Sequence, residues 1–225
     1  MAENAQELSR IYQRRFGQTQ AYRDRVWQVL TRDFFQKWID PASTVLDLGC
    51  GYGEFINHIQ AKRKWAMDLN PDSPGHLARE VGFLEQDCSE PWAIEAGSLD
   101  VVFTSNFFEH LPDKQCLRAT LQRVREGLKT GGCLIAMGPN IKYLAGRYWD
   151  FFDHHTMLTE ASLSEVLETE GFVLERVVAR FLPYSLVNAP EYPLLFLRMY
   201  LAMPWVWPLL GRQFLVVARK ADPTA

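Results

Sequence analysis

A chain of 225 residues, 48% hydrophobic and 23% charged, is ordinary for a globular protein with a real core, and its length favours a single domain. A net charge of −3 and a pI near 6.0 exclude the clustered basic face that nucleic-acid binding needs, and Lys62, Arg63 and Lys64 are too short a run to supply one. Cys50, Cys88, Cys116 and Cys133 are widely spaced, with no CxxC pair or Cys/His metal spacing, and the polar opening MAENAQELSR is not a secretory pattern; a reducing, cytoplasmic setting is expected.

Two helices are expected first, at 3–16 and 20–39, the second from Tyr22, Val26, Val29, Leu30, Phe34 and Trp38 at helical spacing. Strand-like apolar runs follow at 44–48, 65–68, 82–85, 99–104 and 133–138. Helical patterns lie between them at 53–61, 74–80 and 113–127, the last closed by KTGG. A helix at 160–170 ends at Gly171, ahead of strands at 172–181 and 213–219. Such alternation predicts an α/β fold, a doubly wound and mostly parallel seven-stranded sheet with helices on both faces. No ordinary crossover joins the last two strands, so the C-terminal strand is expected to be antiparallel. The expected plan is one domain over 1–225: N-terminal helices at 1–40, a ligand-binding core at 41–181, an apolar helical insert or lid at 182–211, and a last strand and tail at 212–225.

The stretch VLDLGCGYGEF at 45–55 puts Gly49, Gly51 and Gly53 just past the first strand. Glycines so close together mark positive φ or a backbone pressed against something. In a doubly wound sheet this loop lies at the carboxyl ends of the strands, beside the switch point where ligands bind. A dinucleotide loop reads G-x-G-x-x-G and holds a pyrophosphate at the helix start. Here Glu54 takes the third glycine's place and would repel phosphate, and no Lys-Ser/Thr pair follows to make a P-loop. A ligand without phosphates fits better, because a nearby carboxylate then favours an ammonium.

The pattern Asp47-x-Gly49-x-Gly51-x-Gly53 resembles the first motif of class I S-adenosylmethionine-dependent methyltransferases, and three further stations follow in that family's order over about residues 40–180. The resemblance implies that the loop wraps the methionine part of the cofactor, with Asp47 orienting loop and amino group. In WAMDLN, Asp68 would accept the ribose hydroxyls, with Leu69 beside it. In FLEQDCSEPW, Asp87 would accept from the adenine amino group while the Cys88 N–H meets a ring nitrogen. In LDVVFTSNFFEHLPD, the strand end at Thr104, Ser105 and Asn106 would lie under the methionine moiety. The FEHLPD ending is similar to the type 11 group. The cofactor implied is S-adenosylmethionine, with S-adenosylhomocysteine as product. Tyr12 in IYQRRFG is a further expected contact, with Arg15 and Phe16 beside it.

Methyl transfer from a sulfonium is an in-line displacement that rests on positioning and exclusion of water, and it needs a base only for a protonated acceptor such as an alcohol or phenol. Asp153, His154 and His155 lie where the family's substrate wall runs, so a histidine base is expected there, His155 ahead of His154 because His154 follows Asp153 directly. Related quinone O-methyltransferases hold a divalent metal near Glu109 and His110, but Asn106 stands where another acid would be, so no metal is expected and His110 is read as structural. The run 193–210 is too short for a membrane span, carries Arg198 and is broken by Pro204 and Pro208. It reads as a lid over a small, partly hydrophobic acceptor, O-methylation being the expected reaction. A homodimer contact, or peripheral membrane contact through exposed Trp205 and Trp207, stays open. The alternatives are N- or C-methylation with the same cofactor site, or a non-catalytic module that binds the cofactor or its product.

Overall fold

The computed structural model describes residues 10, 13–15, 19–184 and 191–222. Seven strands, β1 (Thr44–Leu48), β2 (Arg63–Asp68), β3 (Val81–Glu85), β4 (Leu99–Ser105), β5 (Leu128–Pro139), β6 (Phe172–Val178) and β7 (Gln213–Lys220), form one sheet in the order β3-β2-β1-β4-β5-β7-β6. Strands β1 to β5 pair in parallel, and β7 runs antiparallel to both β5 and β6. The order reverses between β1 and β4, so the glycine loop after β1 sits at the switch point. This is the predicted architecture.

Period-two alternation divides the core. Val45, Val101, Phe103, Ile135 and Val217 face one layer, while Leu46, Leu48, Val102, Leu134 and Val216 face the other. The first layer is covered by α1 (Gln20–Asp33), the short α2 (Glu54–His58) and the C-terminal insert. The second is covered by α3 (Lys114–Gly127) and, past the short α4 (Ile141–Leu144), by α5 (Glu160–Thr169). Asp113 starts α3 by accepting the Gln115 and Cys116 N–H groups, each at 2.8 Å. Thr159 and Ser162 start α5 with a reciprocal capping box.

Several boundaries differ from expectation. Of the helix expected at 3–16, only residues 10 and 13–15 are described, all helical, and Tyr12 and Phe16 lie outside the described residues. The second helix gives way at Phe34 to a 3-10 turn over Phe35–Trp38. Phe34 and Phe35 are both buried, and two adjacent aromatics cannot both sit on one narrow α-helical stripe. The expected helix at 74–80 is a single 3-10 turn at Ser73–His76; Gly75 lowers helix propensity, and Leu77 leaves the turn to pack under Gly53. KTGG is not a free turn but enters β5, whose register on β4 jumps between Leu99 and Val101.

The insert forms α6 (Leu194–Ala202), a 3-10 turn at Pro204–Val206 and α7 (Trp207–Leu210). Trp207 is buried, packing on Phe34 and Phe181 and donating its indole N–H to the Tyr200 carbonyl at 2.9 Å. The expectation of an exposed Trp207 is therefore corrected, whereas Trp205 is 72% exposed. Arg198 pairs with Asp33 of α1 at 3.3 Å rather than reaching outward alone. Among the described residues no helix is long and apolar enough to cross a membrane.

Candidate active site

The loop after β1 is held by β2. The N–H groups of Gly49 and Cys50 both reach the Met67 carbonyl, at 2.9 and 3.1 Å, and the Gly51 N–H donates to Asp68 Oδ2 at 2.7 Å. All three loop glycines have positive φ, at 70°, 54° and 73°, which explains their residue type. A Cβ on Gly49 would stand 2.2 Å from the Phe107 ring, so the loop is also pressed against the chain leaving β4. Asp68 is thus a principal anchor of the loop, a role the resemblance gave to Asp47. Its other oxygen accepts the Asn70 N–H at 2.8 Å, and each oxygen keeps a lone pair for a ligand hydroxyl.

Asp47 is buried at the floor of the loop. Burial, then the charges of Glu54 and Asp68, push its pKa well above the carboxylate range. Burial also raises Asp68, against the hydrogen bonds it accepts from Gly51, Asn70 and Leu69. Glu54, the residue that breaks the dinucleotide pattern, is 7% exposed and pairs with Arg23 of α1 at 2.9 Å. Three carboxylates in so small a volume suit a positively charged ligand and disfavour a phosphate. Asn106 follows β4 with φ 50°, its N–H on the Met137 carbonyl at 2.9 Å; its Oδ1 is buried with no partner, which leaves an acceptor for a ligand donor.

A cavity of about 820 Å³ opens from this loop. Asp47, Gly49, Gly51, Glu54, Ser105 and Asn106 line it. So do Val26, Trp27 and Leu30 of α1 and Phe196, Leu197 and Tyr200 of α6. Glu109, His110, Asp150 and His154 form a polar wall in the same lining. Gly53, Asp68, Leu69, Asp87 and Cys88 do not line it. Leu69 is 41% exposed next to Asp68. Asp87, at the end of β3, is exposed and accepts both the N–H and the hydroxyl of Ser89, at 2.8 and 2.7 Å. Cys88 is buried, its Sγ 3.2 Å from the Thr120 hydroxyl, and burial pushes its thiol up to about 12. These residues continue along the strand ends from β1 through β2 to β3, beside the cavity rather than in it.

The histidines divide differently from expectation. His155 is exposed and outside the cavity lining, and its N–H donates to the Glu109 carbonyl at 2.8 Å. His154 is buried, its ring stacked on Phe151 at 4.9 Å and near Tyr148 at 4.7 Å. Burial, with the charge of His110, lowers its pKa to about 4, and its Nδ1 has no partner. Asp153 does not orient the adjacent ring. It binds His110, whose Nδ1 lies 3.0 Å from the Asp153 carbonyl and 3.2 Å from Oδ2, while Arg15 holds the carboxylate from the other side, with Nη1 at 2.9 Å from Oδ2. Burial opposes ionisation of Asp153, but the hydrogen bonds of His110 and Arg15 outweigh it and hold this carboxyl well below its usual range. Burial likewise pulls His110 down, and the Asp153 hydrogen bond with the charges of Glu109 and Asp153 more than reverses it. Burial raises Glu109 to about 7.

Glu109, His110 and His154 each bring one polar atom within 4.8 Å of the others. His110 Nδ1 is already engaged by Asp153. Arg23, Phe107 and the His110–Asp153–Arg15 chain escaped sequence reasoning. The FEH segment was the available signal, and its distant partner was not.

Residues 19–177 match a family model described as "Methyltransferase domain". A probable S-adenosylmethionine-dependent methyltransferase of Mycolicibacterium smegmatis is 31% identical over 144 residues, 61% of this chain; the match spans about half, 54%, of that relative's length. A complex of the Haloferax volcanii Trm112 methyltransferase activator with a chain described as "the putative methyltransferase" superposes with a TM-score of 0.68 at 16% identity, over 92% of this chain and 95% of that one. An S-adenosylmethionine-dependent methyltransferase from Archaeoglobus fulgidus gives 0.66 at 20% identity, over 91% and 99%. The N-methyltransferase NodS of Bradyrhizobium japonicum, bound to S-adenosylhomocysteine, gives 0.60 at 18% identity, over 89% and 87%. At such identities the structural likeness speaks for the fold.

Proposed function

Given that the chain belongs to the methyltransferase-domain family, whose cofactor is S-adenosylmethionine, we propose that it methylates an oxygen of a small acceptor with an apolar body. One observation carries the reading: a single cavity joins an acid-rich glycine loop to an aromatic and aliphatic chamber under α6. The bound cofactor supplies a methyl group activated by its attachment to a sulfonium sulfur. The chain's residues would do the rest. Asp47 and Asn106 offer acceptors to an ammonium, Asp68 offers lone pairs to ribose hydroxyls, and Asp87 with the Cys88 N–H meets the adenine edge. Trp27, Leu30, Phe196 and Leu197 bury the acceptor's apolar body and exclude water, so the insert acts as a lid. The polar wall at Glu109, His110 and His154 faces the end where the nucleophile arrives.

Calorimetry with S-adenosylhomocysteine, and with NAD as control, tests the cofactor half. Uptake of the thioether and none of NAD is expected, and a preference for NAD would overturn the reading. Methyl transfer from S-adenosylmethionine to 4-hexylphenol, followed by mass spectrometry, tests the acceptor half. Phe196→Asp is expected to weaken use of that acceptor while leaving the thioether affinity unchanged.

A further inference from the structure

We propose that His110, held by Asp153 and Arg15, is the general base that takes the proton from a hydroxyl-bearing acceptor; this rests on the methyltransferase reading above. His110 lines the cavity, with its side chain 29% exposed. Its Nδ1 is fixed by two oxygens of one residue, the carbonyl of Asp153 at 3.0 Å and Oδ2 at 3.2 Å. Both are acceptors, so Nδ1 carries the hydrogen, and the neutral ring keeps its lone pair on Nε2, on a side chain that lines the cavity. Asp153 is itself fixed by the two-pronged contact with Arg15, whose guanidinium also lies 4.7 Å over the Phe151 ring. Orienter, base and an open cavity in series are the geometry of an activated nucleophile.

The other candidates are less well placed. His155 is exposed and outside the cavity. His154 is wedged between Phe151 and Tyr148, and at a pKa of about 4 it is a feeble acceptor of a proton from a phenol of about 10. The groups facing His110 are Asp68 at the end of β2, Glu109 before it, Asp153 and His154 from the segment after α4, and Arg15 from the N-terminal segment. The acceptor oxygen gives its proton to Nε2 and bonds to the methyl carbon, whose bond to sulfur breaks with the electron pair left on sulfur. The positive charge that disappears from sulfur reappears on the imidazolium, next to the Asp153 carboxylate. Asp153 and Arg15 are thus positioning residues, and Asp153 also stabilises the charged product ring.

The test uses two probe acceptors, 4-hexylphenol and 4-hexylthiophenol, the second already ionised near about pH 8 and in no need of a base. His110→Asn is expected to slow the phenol by roughly 10²–10⁴-fold and the thiophenol by less than about threefold. Asp153→Asn is expected to slow the phenol about tenfold or more and to move the rising limb of its pH profile to lower pH, because the ring loses the carboxylate that raises its pKa. Equal losses on both acceptors, or full phenol activity in His110→Asn, would overturn the assignment. Histidine-labelled protein, read by ring 15N shifts, decides the matter even if neither probe turns over. Wild type should show Nδ1 protonated and Nε2 bare above the ring's pKa, and Asp153→Asn should lose that bias; a wild-type Nε2–H ring sinks the proposal. Calorimetry with S-adenosylhomocysteine separates this failure from failure of the cofactor reading, since His110→Asn should bind the thioether normally.

Discussion

Asp47 is the residue at which burial and neighbouring charge act together. In the free protein its pKa is raised by burial and by two neighbouring acids, so it holds a proton well above the usual carboxylate range. A cation in the loop favours the ionised form, so binding of S-adenosylmethionine should release a proton and tighten as pH rises toward that raised pKa. Calorimetry in two buffers of different ionisation heat reads the proton directly; equal heats would show that Asp47 does not titrate on binding. Glu109, whose pKa is raised in the same direction, gives a stability prediction that runs the opposite way with pH. Its pKa of about 7 exceeds the value of about 4.3 in an unfolded chain, so the folded state is favoured below about pH 4 and loses stability as pH rises through about 7. Removing the charge with Glu109→Gln should raise the melting temperature at about pH 8 by several degrees, on the order of a few kcal/mol, and change little near about pH 4.

Among the elements, the loop after β1 and the insert carry different kinds of constraint. At Gly49 both φ and space exclude a side chain, the φ at 70° and the Phe107 ring at 2.2 Å from an added Cβ. Gly49→Ala should cost about 2–5 kcal/mol in urea unfolding and abolish uptake of S-adenosylhomocysteine. Phe107→Ala in that background should recover part of the stability and none of the φ strain. In the insert, Trp205 and Trp207 stand two residues apart, yet one is 72% and the other 3% exposed. The 3-10 turn at Pro204–Val206 sets that difference by rotating the chain into α7. Trp207→Ala should cost about 3–5 kcal/mol, whereas Trp205→Ala should stay within about 0.5 kcal/mol. Equal effects in thermal melts would mean that the insert packs differently in solution.

For the molecule as a whole, what could be read from the chain was what local rules decide. The alternation of Val45 and Asp47 with Leu46 and Leu48, and the run of strands separated by helices, already contained the two-layer sheet and its switch point. The three glycines announced the loop because no other residue holds its φ values cheaply. The polar wall was misread for the opposite reason. Adjacency drew attention to Asp153, His154 and His155, but neighbours on an irregular segment point apart, and Asp153 reaches instead to His110, 43 residues earlier. Helix ends were missed where tertiary demand overrode propensity, as where Phe34 and Phe35 both turn inward.

The placement of β7 between β5 and β6 bears on how the protein is made. Strand β6 touches the sheet through β7 alone among the described strands, and β7 is the last of the seven to leave the ribosome. Until residues 213–220 emerge, β5 and β6 are two raw edges without a common partner, and the apolar insert has been synthesised with its floor incomplete. Nascent chains stalled just short of Gln213 should therefore be sticky and protease-sensitive over their final third. Chains stalled far enough beyond Lys220 for that strand to clear the exit tunnel should become resistant in one step.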